Sequence, residues 1–152
     1  MRRRDVLVAA AAGSGLAMLA LVRPAFATSE EMAAAIDSFT GGVKPKEGKV
    51  KFDIAQLIDN GNAVPVTISV DSAMSKADHV SAIAIFNERN PQTDVAVFTL
   101  GPRSGRAQVS TRIRLATSQK LTAVARMSDG GYWSTSVSVI VALAACIEGE
   151  AP

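Results

Sequence analysis

The chain has one cysteine, one histidine, one tryptophan and one tyrosine in 152 residues. The lone cysteine, Cys146, excludes an internal disulfide and with it a disulfide-stapled mini-protein. The lone histidine, His79, leaves His-based zinc sites and Ser-His-Asp triads almost without material. It follows Ala77-Asp78 at the start of an apolar run and reads as a surface or strand-end residue. A phosphate-binding loop is missing too: Gly101-Pro102-Arg103-Ser104-Gly105-Arg106 lacks both the Walker spacing and its lysine. No cofactor and no metal is expected, and no internal repeat is visible. Apolar residues are not scarce. At 48% they suffice for one core, which excludes collagen-like, mucin-like and fully disordered chains.

The first residues read as an address. Met1 to Arg4 is basic, Val6 to Val22 is uncharged and largely apolar, and Ala25-Phe26-Ala27 follows Arg23-Pro24. That is the order of a secretory signal with a small-x-small cleavage site. The Ala and Gly content makes the apolar stretch weakly hydrophobic, so a cleaved signal is expected over a retained anchor. Arg3-Arg4-Asp5-Val6-Leu7 reads as a twin-arginine pattern, the mark of export in the folded state. The expected organisation is a signal peptide over 1–27, a helix and linker over 28–48, a β-sandwich over 49–143 and a C-terminal arm over 144–152.

Cleavage after Ala27 leaves 125 residues and removes Arg2, Arg3, Arg4, Arg23 and Asp5. The +2 of the precursor then becomes −1, from 12 basic and 13 acidic residues. A nucleic-acid binder needs surplus cations to displace phosphate counterions. The mature chain has none, so neither nucleic acid nor, after cleavage, a membrane is expected as partner.

From Ser29 to Phe39, Met32, Ala35, Ile36 and Phe39 recur at helical spacing. Ser29 is a capping residue type, Glu30 and Glu31 suit a helix N-terminus, and Gly41-Gly42 ends the run. Beyond Lys44 to Gly48 the period changes to two. Strands are expected at 50–54, 64–70, 80–86, 94–100, 109–115, 121–127 and 133–143, with turns at Asp59-Asn60-Gly61-Asn62, Asn90-Pro91, Gly101-Pro102 and Asp129-Gly130-Gly131. Val80 to Phe86 is apolar on both faces, as in a central strand. About seven strands joined by short turns suggest an all-β, immunoglobulin-like sandwich with a short N-terminal helix.

Two features carry chemistry. Arg112 and Arg114 take the outward phase of their strand, with Arg103 and Arg106 at the turn before it. Together they read as a solvated face or as a dock for an acidic partner or an oxyanion. Cys146 follows the last strand. If that strand ran on, Val141, Leu143, Ala145 and Ile147 would share the core phase and Cys146 would oppose it. If it stops near Leu143, Cys146 sits on a tail. Neither is a core position. An exported protein with one exposed thiol is expected to use it or pair it, and an incidental cysteine stands as the alternative.

Asp59-Asn60-Gly61-Asn62-Ala63-Val64-Pro65-Val66, Val70-Asp71-Ser72, Ala77-Asp78-His79-Val80, Asn90-Pro91, the run Ser104 to Ala116 and Met127-Ser128-Asp129-Gly130 resemble SoxY, the sulfur-carrier family of periplasmic thiosulfate oxidation. The resemblance covers most of the mature chain. It implies a carrier rather than an enzyme: an immunoglobulin-like sandwich paired with a SoxZ-like sandwich subunit. Its arm cysteine is loaded by a haem thiosulfate-attaching enzyme. A sulfate-releasing hydrolase and, in some systems, a sulfur dehydrogenase then act on it. By position, Cys146 is the residue for covalent attachment.

The ending departs from the Gly-Gly-Cys-Gly-Gly of that family. Ala144-Ala145 precede Cys146 and bulky Ile147 follows, which widens and stiffens the arm. Glu148 and Glu150 place negative charge nearby, which is expected to raise the thiol pKa and repel a thiosulfate dianion. Two other readings stand beside the carrier. One is a non-carrier module that pairs with another sandwich. The other is a thiol redox protein, which the lack of a resolving cysteine and of a nearby activating cation disfavours.

Overall fold

The computed structural model describes residues 27–143. The expected signal segment with its twin arginines and the arm with Cys146 lie outside the described residues, apart from Ala27 itself. Within them the chain forms a helix, α1 (Ser29–Thr40), and nine strands: β1 (Lys46–Glu47), β2 (Val50–Asp53), β3 (Leu57–Asn60), β4 (Val64–Val70), β5 (Val80–Asn87), β6 (Asp94–Thr99), β7 (Gln108–Ile113), β8 (Gln119–Met127) and β9 (Tyr132–Leu143). One sheet has the order β1-β9-β8-β5-β6, with β3 also paired to β9, and the other is β2-β4-β7. The seven expected strands are present. The two others, β1 and β3, are short and both run parallel to β9.

Period-two alternation places the core. Val64, Val66, Ile68 and Val70 of β4 face inward, and Ile68 is fully buried. Across the sandwich they meet Ile83 and Ile85 of β5, Leu121, Ala123 and Ala125 of β8, and Val139 of β9. Burial of this apolar surface is the main stabilising term of such a fold.

The two-faced apolarity of β5 has a specific cause. Its second face, Ala84 and Phe86, packs with Val124 of β8 under α1, which contributes Met32, Ala35, Ile36 and Phe39. Phe39 sets edge-on contacts to Phe86 and Tyr132 at 5.8 and 6.0 Å. The helix is therefore a cover over the sheet's outer face. Its N-cap is Thr28, one residue before the expected Ser29. The Thr28 hydroxyl accepts from the Glu31 N–H, and the Glu31 carboxylate accepts from the Thr28 N–H. Ser29 instead donates its hydroxyl to Glu88. Gly41 closes the helix in the left-handed region at φ +63°.

The supposed turn at 59–62 begins as strand. Leu57, Ile58 and Asn60 pair with Ile140, Val141 and Leu143. Only Ile58 of β3 is buried, so the alternation that would mark a strand is one residue deep.

Candidate functional site

The last strand runs past its neighbour. Pairing of β9 with β8 ends at Val139 against Gln119, and four more residues of β9 continue beyond it. Separate contacts hold them. β3 pairs along one side, the Ile140 N–H donates to the Gln56 carbonyl at 2.8 Å, and the Val141 N–H donates to the Ser118 hydroxyl at 2.8 Å. The Leu143 carbonyl accepts from the Gly61 N–H at 2.9 Å. Gly61 in turn accepts from the Leu115 N–H at 2.8 Å. Val141 is half-buried, whereas Leu143 is 61% exposed although it keeps the core phase. The chain has thus left the core by Leu143, three residues before Cys146.

This end of the sandwich is framed by a polar network. The buried Asn87 donates to the Gln92 and Thr93 carbonyls and accepts from the Asn90 N–H. Asn90 donates to the Arg114 carbonyl at 2.8 Å and accepts from the Ala116 N–H and the Gln119 amide. Gln119 accepts from the Arg89 N–H at 3.1 Å. These bonds fix the segment after β7 against the segment after β5, as buried amides require partners. They also bring the backbone of Arg89 toward that of Arg114, a proximity that the sequence does not announce. Arg89, Arg112 and Arg114 are all exposed. Arg114 borders an open cleft of about 390 Å³ with Asn87, Asn90 and Asp94.

The four arginines singled out from the sequence do not form one patch. β7 begins at Gln108 and ends at Ile113, so Arg103, in a short 3-10 turn, and Arg106 precede it at one end of the sandwich. Arg112 and Arg114 stand at the other end, beside Leu143. His79 immediately precedes β5 and is half-buried, beside the strand's start. Its Nδ1 lies 3.0 Å from the Ser75 carbonyl and its N–H donates to the Ser128 hydroxyl. Among the described residues, no group of three or more His, Cys, Asp or Glu side chains is placed to hold a metal ion. Among them too, no helix is long and apolar enough to cross a membrane.

The family described as "Sulfur oxidation protein SoxY" matches residues 36–146. The chain belongs to the SoxY family. The match spans the sandwich and runs through Cys146. Among solved structures, the sulfur carrier protein SoxY from Chlorobium limicola f thiosulfatophilum is similar, with 25% identity and a TM-score of 0.63. That likeness covers 75% of this chain and 98% of that one. A superoxide reductase (neelaredoxin) from Ignicoccus hospitalis follows at 14% identity and a TM-score of 0.56, over 77% of this chain and 95% of that one. A superoxide reductase from Nanoarchaeum equitans is 15% identical with a TM-score of 0.53, over 64% and 99%. The two reductases show a shared sandwich fold and nothing further. No curated protein matches the chain.

Proposed function

We propose that this SoxY-family chain is a periplasmic carrier that holds thiosulfate-derived sulfur covalently on Cys146. In this reading the first 27 residues are a twin-arginine-type signal, removed after export. The thiol and thiosulfate join as Cys146–S–S–SO₃⁻, releasing one proton and two electrons, and a haem partner takes the electrons. Water then cleaves the sulfur–sulfonate bond: sulfate leaves and Cys146 keeps a persulfide, on which a sulfur dehydrogenase acts in systems that have one. The chain itself supplies the tether rather than the catalysis.

The observation that carries the reading is the course of β9. A twelve-residue strand is held to its last residue by β3, Gly61 and Ser118, and three residues further on stands the only thiol. A rigid root and a short tether give each partner a high local concentration of bound substrate. Cys146 follows Leu143 by three residues, and extended chain spans ~3.3 Å per residue, so its thiol can stand up to roughly 10 Å beyond that root. A SoxZ-like subunit is the proposed companion. Leu57 and Ile140, cross-strand partners on the outer side of the sheet at 67% and 62% exposure, offer it apolar surface.

Replacing the wild-type gene with Cys146→Ser tests the role. The carrier reading expects the strain to stop oxidising thiosulfate while the variant still folds and co-purifies with its sandwich partner. Normal oxidation by that strain leaves the alternative, a non-carrier module that only pairs.

A further inference from the structure

The edge of β9 that faces away from β8 is covered at its two ends and open between them. β1 pairs with it at Trp133 and Ser134, and β3 pairs with it between Ile140 and Leu143. Among the described residues, no strand pairs with that edge from Thr135 to Val139. The direction of the backbone groups there follows from their neighbours. The Val141 N–H turns to Ser118, whereas the Ile140 N–H turns the other way, to the Gln56 carbonyl. In an antiparallel strand this alternation carries on along the chain. The N–H and C=O groups of Ser136 and Ser138 therefore point out of the open edge, and both residues are exposed. Such groups are a ready template for one more strand.

A cleft of about 420 Å³ opens onto this edge, lined by Gly48, Val50, Lys120, Ser134, Thr135 and Ser136. Its surroundings are basic. From Lys44 to Lys51 the chain carries four lysines against one glutamate. Two of them converge on one ring: the Lys46 and Lys49 ammoniums lie 5.8 and 5.2 Å from the centre of Trp133. Lys49 stands in the left-handed region, at φ +55°, in a tight turn that the Val50 N–H closes on the Gly48 carbonyl at 2.6 Å. A lysine rarely adopts that region, and here it sets the ammonium over the ring. Lys120, exposed on β8, lies opposite Ser138. The carboxylates nearby are Glu47, which borders the cleft, and Glu88, which accepts from the Lys120 N–H. The lysines outnumber them.

We propose that the open edge of β9 at Ser136 and Ser138 is a docking site for an extended, acidic segment of a partner protein. The main chain of that segment pairs with the outward N–H and C=O groups, and its carboxylates meet Lys46, Lys49 and Lys120. In this mode the main-chain bonds supply affinity and the lysines select for charge. The Ser136 hydroxyl already bonds Thr122 at 2.9 Å, so recognition falls on the backbone. The site makes no use of Cys146 and stands or falls independently of the carrier reading.

The single tryptophan reports on the site. A short acetylated peptide alternating Glu and Val is titrated into the mature protein at low salt, with Trp133 fluorescence and isothermal titration as readouts. Saturable binding is expected. It should be about 10-fold weaker for the same peptide with every amide N-methylated, which removes the main-chain donors and keeps every carboxylate. Lys46→Gln/Lys49→Gln is expected to weaken binding about 3- to 10-fold at low salt, and the difference should vanish at high salt. Ser138→Pro removes one outward N–H without touching the ladder to β8, and should remove most of the binding. Should that variant fold poorly, the N-methylated peptide makes the same test on the wild-type protein. No saturable binding, equal binding of the N-methylated peptide, an equal response to inorganic phosphate, or binding of phosphatidylglycerol vesicles in place of the peptide overturns the proposal. Failure of the carrier reading is seen separately, in cells carrying Cys146→Ser.

Discussion

Ile58→Ala tests whether β3 is the clamp of the arm root. Ile58 is 6% exposed and is the single residue by which β3 enters the core. The substitution removes three carbons. At ~0.8 kcal/mol for each buried methylene-sized group, the transfer loss is about 2.4 kcal/mol. A cavity contribution adds little, because Ile58 borders an open cleft of about 430 Å³ between β3 and β4 that water fills readily. The expected cost is therefore about 2–3 kcal/mol in urea unfolding, read as a lower midpoint at constant slope. Hydrogen exchange gives the local result. Detaching β3 exposes the same side chain, so the Ile140 and Gly61 amides, bonded to Gln56 and Leu143, should exchange about 30- to 150-fold faster. Asp59→Asn, on the exposed side of β3, is the control and should change neither quantity measurably. A loss below 1 kcal/mol, or wild-type protection at Ile140 and Gly61 in the alanine variant, refutes the argument that β3 holds the root.

Two other substitutions probe the parts that frame the sandwich. Thr28→Ala breaks the reciprocal cap of α1 and should cost about 1 kcal/mol, measured by thermal or urea unfolding, whereas Ser29→Ala should cost much less. Gly48→Ala forces a side chain into φ +110° and brings its Cβ to 3.4 Å from the Trp133 ring. It should destabilise by about 1–2 kcal/mol and shift the fluorescence of this single tryptophan, over which Lys46 and Lys49 also lie.

What the sequence made legible follows from period and turn chemistry. β4 reads as Val-x-Val-x-Ile-x-Val because one face meets the core and the other solvent. α1 reads from Met32, Ala35, Ile36 and Phe39 because its stripe covers β5 and β8. β3 escaped notice for a physical reason. It buries one side chain and is defined by backbone pairing to a strand some eighty positions away, which leaves no period to read. The cap fell on Thr28 rather than Ser29 because both are capping residue types, and Glu31 three residues after Thr28 decides between them. The arginines were visible as charges, but their grouping was not. The length of β7 parts Arg114 from Arg106, and the side-chain bonds of Asn90 and Gln119 bring its backbone toward that of Arg89. The arm chemistry rests on Cys146 and its departure from glycine neighbours, which are sequence observations throughout.

The most direct test is the mass of the protein itself, isolated without reductant from its own host during growth on thiosulfate. Digestion and fragmentation then locate any added sulfur. The account predicts that a substantial fraction carries thiosulfonate or persulfide mass on Cys146, and that the added mass disappears on reduction. Protein from the same cells bearing only an unmodified Cys146 thiol, while thiosulfate is being consumed, contradicts it.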